Sequence, residues 1–196
     1  MSVLLIAGSP SERSRSAALL DAVSLRLSVR GTAVHRLHIR DLSPQALLLA
    51  DTGHRSIAQA VDRVAQATAL VVATPVYKAA YSGVLKVFLD LLPQTALKGK
   101  AVLPLATGGS PHHMLALDYA LRPVLQSLGA KHILPGVYAT DAQVTLTPEG
   151  AYDVGRDISD RLDEALDQLV NEVLRSAPVQ ATRFPPVPFS QVRCSV

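Results

Sequence analysis

The sequence predicts an α/β fold, a doubly wound parallel sheet with helices on both faces. Three observations support this prediction. Short apolar runs, typical of buried strands, alternate along the chain with longer segments that have helical periodicity. Glycine, proline and serine concentrate between these segments, where connecting loops are expected. The chain has 196 residues, of which 48% are hydrophobic, so it can enclose the core of a single domain.

The first part of the chain supplies two predicted strands and two predicted helices. Residues 3–7 are a continuous apolar run, which predicts a buried strand. Residues 14–29 carry leucine and valine at helical spacing on one face. Residues 33–39 alternate between apolar and polar side chains, as a half-buried strand does. Residues 56–67 again have an apolar stripe at helical spacing.

The middle of the chain contains the two most apolar predicted strands. Residues 70–74 form one, and the helical segment 82–92 that follows ends at Pro93. Residues 100–107 form the other, although Pro104 lies inside it. Because proline has no N–H, we expect an irregularity there, or a position that lacks one ladder hydrogen bond.

The last part of the chain completes the alternation of five strands with five helices. Residues 113–128 are helical and stop at Gly129, a favourable residue just beyond a helix end. Residues 131–139 predict the last strand, and residues 157–174 are the clearest amphipathic helix. Right-handed crossovers between parallel strands then give a five-stranded sheet in the order 2-1-3-4-5.

The predicted domain covers residues 1–176, and the proline-rich residues 177–196 are interpreted as a tail or as an arm onto a neighbouring subunit. The single cysteine, Cys194, excludes a disulfide within the chain and fits a cytoplasmic location. No apolar stretch approaches the roughly 18 residues of a membrane span. The net charge of +3 comes without a dense basic block, so we expect neither a nucleic acid nor a membrane as partner.

Three loops are selected as candidate ligand-binding segments. An open parallel sheet binds ligands beyond the carboxyl ends of its strands, at the point where the strand order reverses. In the predicted order this rule picks out residues 8–16, 74–83 and 107–113. These are also the stretches with the least common composition in the chain.

The first of these loops, GSPSERSRS, has the composition of a phosphate site. Ser9, Ser14 and Ser16 offer hydroxyl donors, and Arg15 adds positive charge beside them. The free N–H groups and the dipole of the following helix also attract an anion. A P-loop motif and a GxGxxG motif are both missing from the sequence, which argues against the common nucleotide sites. An ordinary serine-rich helix cap explains the same residues without a ligand.

The second loop, TPVYKAAYSG, indicates a site for a planar heterocycle. Pro75 stiffens the turn, and Val76 and Tyr77 can offer backbone amides to a ring. Ser82 and Gly83 begin the next helix, whose positive end would point at the same place. Simpler interpretations remain open, because the tyrosines of this loop can be packing residues and Lys78 can be a solvated charge.

The third loop, ATGGSPHH, suits the same flat ligand. Thr107, Gly108 and Gly109 let the backbone approach it closely. His112 and His113 could suggest a metal pair, but adjacent residues of a helix point about 100° apart. Since no cysteine or acidic residue is near in sequence, no metal site is predicted.

Together these stretches resemble the NAD(P)H-dependent FMN reductases of the flavodoxin-like superfamily, and among them the reductase component of two-component alkanesulfonate monooxygenase systems. The resemblance covers about residues 3–140 and rests mainly on VVATPVYKAAYSGVLKVFLDLLP, LKGKAVLPLATGG and ALDYALRPVLQSLGA. It implies hydride transfer from NADPH or NADH to FMN, followed by delivery of reduced FMN to a partner monooxygenase. It also implies a homo-oligomer, either a tetramer or a dimer, and no catalytic acid, base or nucleophile.

The resemblance assigns FMN-binding residues to all three loops. The phosphate is assigned to Ser9, Ser14, Arg15 and Ser16. The isoalloxazine ring is assigned to two loops, at Pro75, Val76, Tyr77, Lys78, Ser82, Gly83, Thr107, Gly108 and Gly109.

One further residue, Tyr119, carries a prediction about the fate of the flavin. In the alkanesulfonate-type reductases an inserted tyrosine creates a π-helix at the subunit interface, and Tyr119 stands at the matching place. Independently, Pro123 cannot donate to the carbonyl of Tyr119 four residues earlier, so a bulge or a plain proline kink is expected near Tyr119. A π-helix here implies that the enzyme releases its flavin.

Two other functions remain open on the sequence alone. One is a reductase of quinones, azo dyes or metal ions that holds FMN tightly. The other is a flavodoxin-like electron carrier without nicotinamide chemistry, although such carriers are usually acidic and this chain is not.

Overall fold

The structure, a computed structural model, describes residues 2–175 and contains the predicted parallel sheet. The strands are β1 Ser2–Ala7, β2 Ala33–His38, β3 Ala69–Tyr77, β4 Ala80–Tyr81, β5 Ala101–Gly108, β6 His132–Ile133, β7 Val137–Thr140, β8 Val144–Leu146 and β9 Tyr152–Val154. The α-helices are α1 Arg15–Val29, α2 Pro44–Leu48, α3 Arg55–Gln66, α4 Gly83–Asp90, α5 Arg122–Ser127 and α6 Arg156–Arg175. A π-helix, Ala116–Leu121, runs directly into α5, and two 3-10 helices lie at Ile39–Asp41 and Pro111–Met114.

The sheet order confirms the predicted fold class. The strands follow one another as β2-β1-β3-β5, and β6 and β7 share the last position beside β5. All of these pairs are parallel, which is the order 2-1-3-4-5 of flavodoxin-like folds. In register, Ala7 lies opposite Ala73 and Pro75 opposite Thr107, so the first, third and fourth strand positions end at one rim.

Two hydrophobic layers cover the sheet. Alternate residues of β1 point to opposite faces, so Val3 and Leu5 pack beneath α1 and α6, while Leu4 and Ile6 face α3 and α4. Because both faces are covered, the central strands are apolar at nearly every position. Within residues 2–175, no helix is long and apolar enough to cross a membrane.

The last predicted strand is wrong as a single element, and Pro104 gives the reason. Residues 131–139 form two short strands, separated by Leu134, Pro135 and Gly136. The gap lies beside Pro104, because Val102 accepts a hydrogen bond from the N–H of Leu134 and Pro104, two residues on, faces the same neighbour. Since Pro104 has no N–H to donate, the ladder cannot continue. The irregularity expected at Pro104 is confirmed.

Several short elements were not predicted from the sequence. They include α2, the two-residue strand β4, and the antiparallel hairpin of β8 and β9. The predicted tail, residues 177–196, lies outside the described residues, as does Cys194.

Candidate functional site

The three candidate loops meet at the carboxyl rim of the sheet. The N–H of Gly8 in the first loop donates to the carbonyl of Ala73 at 2.8 Å. The hydroxyl of Ser82 in the second loop donates to the carbonyl of Gly8. Val76 of the second loop lies against Gly108 of the third, since a Cβ built on Gly108 would be 3.3 Å from that of Val76. Loops whose contacting residues are as much as 74 positions apart in the sequence therefore form one surface.

The first loop places two serine hydroxyls at the start of α1. Ser14 caps the helix, because its hydroxyl accepts the N–H of Ala17 at 3.1 Å. That hydroxyl also lies 3.3 Å from the hydroxyl of Ser16, which is buried. Ser9 is buried as well, and its hydroxyl accepts the N–H of Ser11 at 3.1 Å. The first N–H groups of α1 have no partner within the helix, so the site combines hydroxyl and amide donors.

Arg15 connects this loop to the hairpin of β8 and β9. Its Nε donates to the carbonyl of Val144 at 2.9 Å and lies 3.6 Å from the carboxylate of Asp141. Its guanidinium carbon is 5.9 Å from the centre of the Tyr152 ring. The side chain of Arg15 is therefore held against the hairpin, with its Nε engaged there.

The second loop is a tight hairpin turn built from residues that rarely adopt its geometry. Val76 pairs with Tyr81, and Tyr77 pairs with Ala80, in the antiparallel ladder between β3 and β4. The two residues between them, Lys78 and Ala79, have φ of 50° and 62°. Positive φ at both central positions is the pattern of a type I′ turn, which usually contains glycine or asparagine. The chain therefore holds a strained turn at this rim.

Ser82 acts inside the protein, as a link between loops. It is 1% exposed, and besides its bond to Gly8 its hydroxyl accepts the N–H of Leu85 at 3.3 Å as the cap of α4. Its own N–H donates to the hydroxyl of Thr74 at 2.9 Å. Gly83, the next residue, has open space where a side chain would be.

The third loop depends on the missing side chain of Gly108. A Cβ there would be 2.8 Å from the hydroxyl of Tyr138, which donates to the carbonyl of Ser110 at 2.6 Å. Burial, and to a lesser extent the charge of Asp141, raises the pKa of Tyr138, so this phenol stays protonated and keeps its bond. Thr107 is buried, whereas Gly109 is exposed at the rim.

A buried nitrogen without a partner lies beside Gly108. Among residues 2–175, Nδ1 of His113 is one of two buried side-chain polar atoms for which no hydrogen bond is formed. It is 3.6 Å from the position of a Cβ built on Gly108. A buried polar atom is normally paired, so this one indicates a partner that the chain itself does not provide.

The helix that follows the third loop is widened where the sequence analysis expected it. The π-helix contains Tyr119, and the N–H of Arg122 reaches back five residues to the carbonyl of Leu117. Tyr119 is 80% exposed, and its apolar neighbours Met114 and Leu115 are exposed as well. The expected bulge near Tyr119 is therefore confirmed, and it is a π-helix.

Comparison with known proteins identifies the family. The family model described as NADPH-dependent FMN reductase matches residues 1–145. The chain belongs to the NADPH-dependent FMN reductase family. It is therefore an oxidoreductase that acts with FMN and a nicotinamide nucleotide.

Individual relatives support the same assignment. The chain is 45% identical to an FMN reductase (NADPH) of Pseudomonas putida over 185 residues, which cover 94% of this chain and 90% of the relative. It is 49% identical to an FMN reductase (NADPH) of Escherichia coli over 144 residues, 74% of this chain and 75% of the relative. A solved structure, the apo form of an NADH:FMN oxidoreductase (EMOB), matches with a TM-score of 0.79 at 42% identity and covers 93% of each chain.

Some residues from the C-terminal part of this FMN reductase lie beside the first and third loops and were not predicted from the sequence. Asp141, Tyr138 and Tyr152 all approach the rim. Asp141 directly follows β7, so the rule that ligands bind beyond strand ends would have found it. Tyr152 lies in a three-residue strand, which is too short for a periodic signal.

Proposed function

We propose that this FMN reductase releases reduced FMN to a partner monooxygenase in the cytoplasm and does not keep the flavin as a prosthetic group. The π-helix at Tyr119 carries this proposal, because it lies where the resemblance to alkanesulfonate-type reductases places an inserted tyrosine. The resemblance further suggests a monooxygenase that removes sulfite from alkanesulfonates. The flavin is then a substrate that must leave after each turnover.

The rim fits both ends of FMN. For the phosphate it offers the hydroxyls of Ser9, Ser14 and Ser16, with the amino end of α1 and the charge of Arg15. For the ring it offers the turn at Tyr77 and Lys78, and the exposed Gly109 of the third loop. The unpaired Nδ1 of His113 lies beside the same loop and gives the ring side of the site one more polar group.

The protein's part in the reaction is to bind and orient. The chemistry that FMN supplies when bound is the acceptance of a hydride from NADPH or NADH. Amides at Val76 and Tyr77 and at the glycines of the third loop would donate to the ring edge, where negative charge accumulates on reduction. No side chain of the rim is required as an acid or base. Tyr77 is half-exposed on the side from which the nicotinamide would approach the ring in this proposal.

We also propose that the chain forms a homo-oligomer, a tetramer or a dimer, through the π-helix. Met114, Leu115 and Tyr119 form an exposed apolar group within six residues of sequence. Apolar side chains gathered in this way are typical of association surfaces. Sedimentation velocity tests this proposal, and a monomer at micromolar concentration would contradict it.

Deletion of Tyr119 tests the release of flavin. Removing one residue lets the helix return to regular α pairing before Pro123, so the variant should remain yellow after a desalting column that strips the wild type. The matched control is Tyr119→Ala, which keeps the residue count and should still lose FMN. If the deletion variant loses FMN as readily as the wild type, the proposed role of the π-helix is wrong.

A further inference from the structure

We propose that Arg122 is a positioning residue that ties the π-helix to the gap in the sheet beside Pro104 and thereby weakens the retention of FMN. This inference rests on the proposed function, since it assumes that the π-helix favours release of the flavin. It assigns the cause of the π-helix to contacts outside the helix itself.

The gap leaves a backbone acceptor without its ladder partner. In a regular parallel ladder, the N–H of residue 104 would donate to the carbonyl of Leu134, because Val102 already accepts from the N–H of Leu134 at 2.9 Å. Proline at position 104 removes that donor. A carbonyl left unpaired near the core is costly, so another donor is needed.

Arg122 supplies the missing donor. Its Nη2 donates to the carbonyl of Leu134 at 3.1 Å, and its Nη1 donates to the carbonyl of Ile133 at 3.0 Å. Its Nε donates to the exposed Asp118 at 3.0 Å. The planar group therefore spans two consecutive carbonyls at the end of β6, which a lysine ammonium cannot do with the same geometry.

A second contact holds the other end of the π-helix. Leu117 is buried, and its Cδ1 lies 2.7 Å from where a Cβ on Gly136 would be. The same Cβ would be 3.1 Å from the carbonyl oxygen of Pro104. Leu117 therefore fills the space left by Gly136 within the gap. Leu117 and Arg122 are also the acceptor and donor of the five-residue hydrogen bond that defines the π-helix.

The widened turn can act on the flavin site because the two are adjacent. The π-helix packs against β4, the returning strand of the second loop. The gap at Pro104 thus fixes Leu117 and Arg122, and these two residues hold the π-helix in place. The π-helix in turn contacts the loop that is assigned to the flavin ring. Without the hydrogen bonds from Arg122 to the two carbonyls, regular α-helical hydrogen bonding becomes more favourable in this segment. The site should then hold FMN more tightly.

Arg122→Met tests this inference, since it keeps the apolar stem and removes the three donors. We expect the dissociation constant for FMN, from quenching of flavin fluorescence, to fall about fivefold. Arg122→Lys should fall between this variant and the wild type. The matched control is Asp118→Asn, which leaves both carbonyl bonds of Arg122 in place and should change FMN affinity less than twofold, roughly.

Several outcomes would overturn the inference. If Arg122→Met lowers the melting temperature but leaves FMN affinity unchanged or weaker, Arg122 is only structural. An equal gain in Asp118→Asn would also contradict it. If Arg122→Met does not fold, Gly136→Ala provides the test instead. Its added methyl group would displace Leu117 from the gap in the sheet, so this variant should also bind FMN more tightly. If deletion of Tyr119 tightens FMN binding but Arg122→Met and Gly136→Ala do not, this inference is wrong and the proposed function stands. If none of the three variants binds FMN more tightly, the proposed function is wrong as well.

Discussion

At Gly108, a hydrogen in place of a side chain decides how closely the third loop approaches its neighbours. The loop lies against Val76 on one side and against the hydroxyl of Tyr138 on the other. Both contacts would be shorter than normal for any larger residue. From the sequence, Gly108 was expected to let the backbone approach a flat ligand closely, and in the structure the close approach is to the protein itself.

Gly108→Ala is expected to destabilise the fold by about 1–3 kcal/mol and to weaken FMN binding at least roughly tenfold, because Tyr138 must leave its place. Urea unfolding and FMN titration measure the two effects. The control is the double variant Gly108→Ala with Tyr138→Phe, in which the clashing hydroxyl is gone. Recovery of part of the loss is expected, and strictly additive losses would contradict this account of the loop.

Among the helices and strands, hydrophobic periodicity was sufficient to predict the long elements from the sequence. Helices such as α1 and α6 and strands such as β1 and β5 were predicted within a few residues. The hairpin of β8 and β9 was missed because each strand has three residues, and such runs carry no periodic signal. The split of the last strand was also missed, although Pro104 signalled an irregularity, because sequence does not say which neighbour a backbone group faces.

The position of the candidate site could be predicted from the sequence because the order of the strands in the sheet could be predicted. Once the order 2-1-3-4-5 was inferred, the three loops followed from where strands end, and the structure brings them together. The engagement of Ser82 and of Nε of Arg15 with other parts of the chain was not predictable. Their partners, Gly8 and Val144, are separated from them by 74 and 129 residues.

The turn of the second loop has an energetic consequence of its own. Ala79 has φ of 62°, which is unfavourable for any residue with a side chain. Ala79→Gly should therefore raise the free energy of unfolding by about 1 kcal/mol, with FMN affinity unchanged, because the shape of the turn is kept. Ala80→Gly, one residue on in β4, serves as control and should lower stability. A loss of stability in Ala79→Gly would show that the turn is not strained.

At the scale of the whole molecule, the first and last helices close one face of the sheet. Arg26 of α1 and Arg30, the residue that caps α1, hydrogen-bond to Asp163 of α6, at 3.1 Å in each case, and Arg30 also bonds to Asp167 at 2.9 Å. Partial burial raises the pKa of Asp163, but the hydrogen bonds from the two arginines outweigh it and leave the pKa below its usual value. The cluster therefore joins chain segments that are 137 residues apart.

This cluster predicts a stability that depends on pH. Because the folded state lowers the pKa of Asp163, its contribution is complete above the unfolded pKa and is lost as the pH falls through the folded value. Asp163→Asn should cost up to about 1 kcal/mol at pH 7 and clearly less near pH 3. Thermal unfolding at both pH values measures this, with Asp62→Asn on the exposed face of α3 as control. An equal cost at both pH values would contradict the assignment.

We propose that the three loops together hold FMN. A crystal structure of the protein soaked with FMN tests it most directly. We expect the phosphate among Ser9, Ser14 and Ser16, and the ring between the turn at Tyr77 and the glycines at 108 and 109. Ordered FMN at any other surface of the chain, with this rim empty, would contradict it.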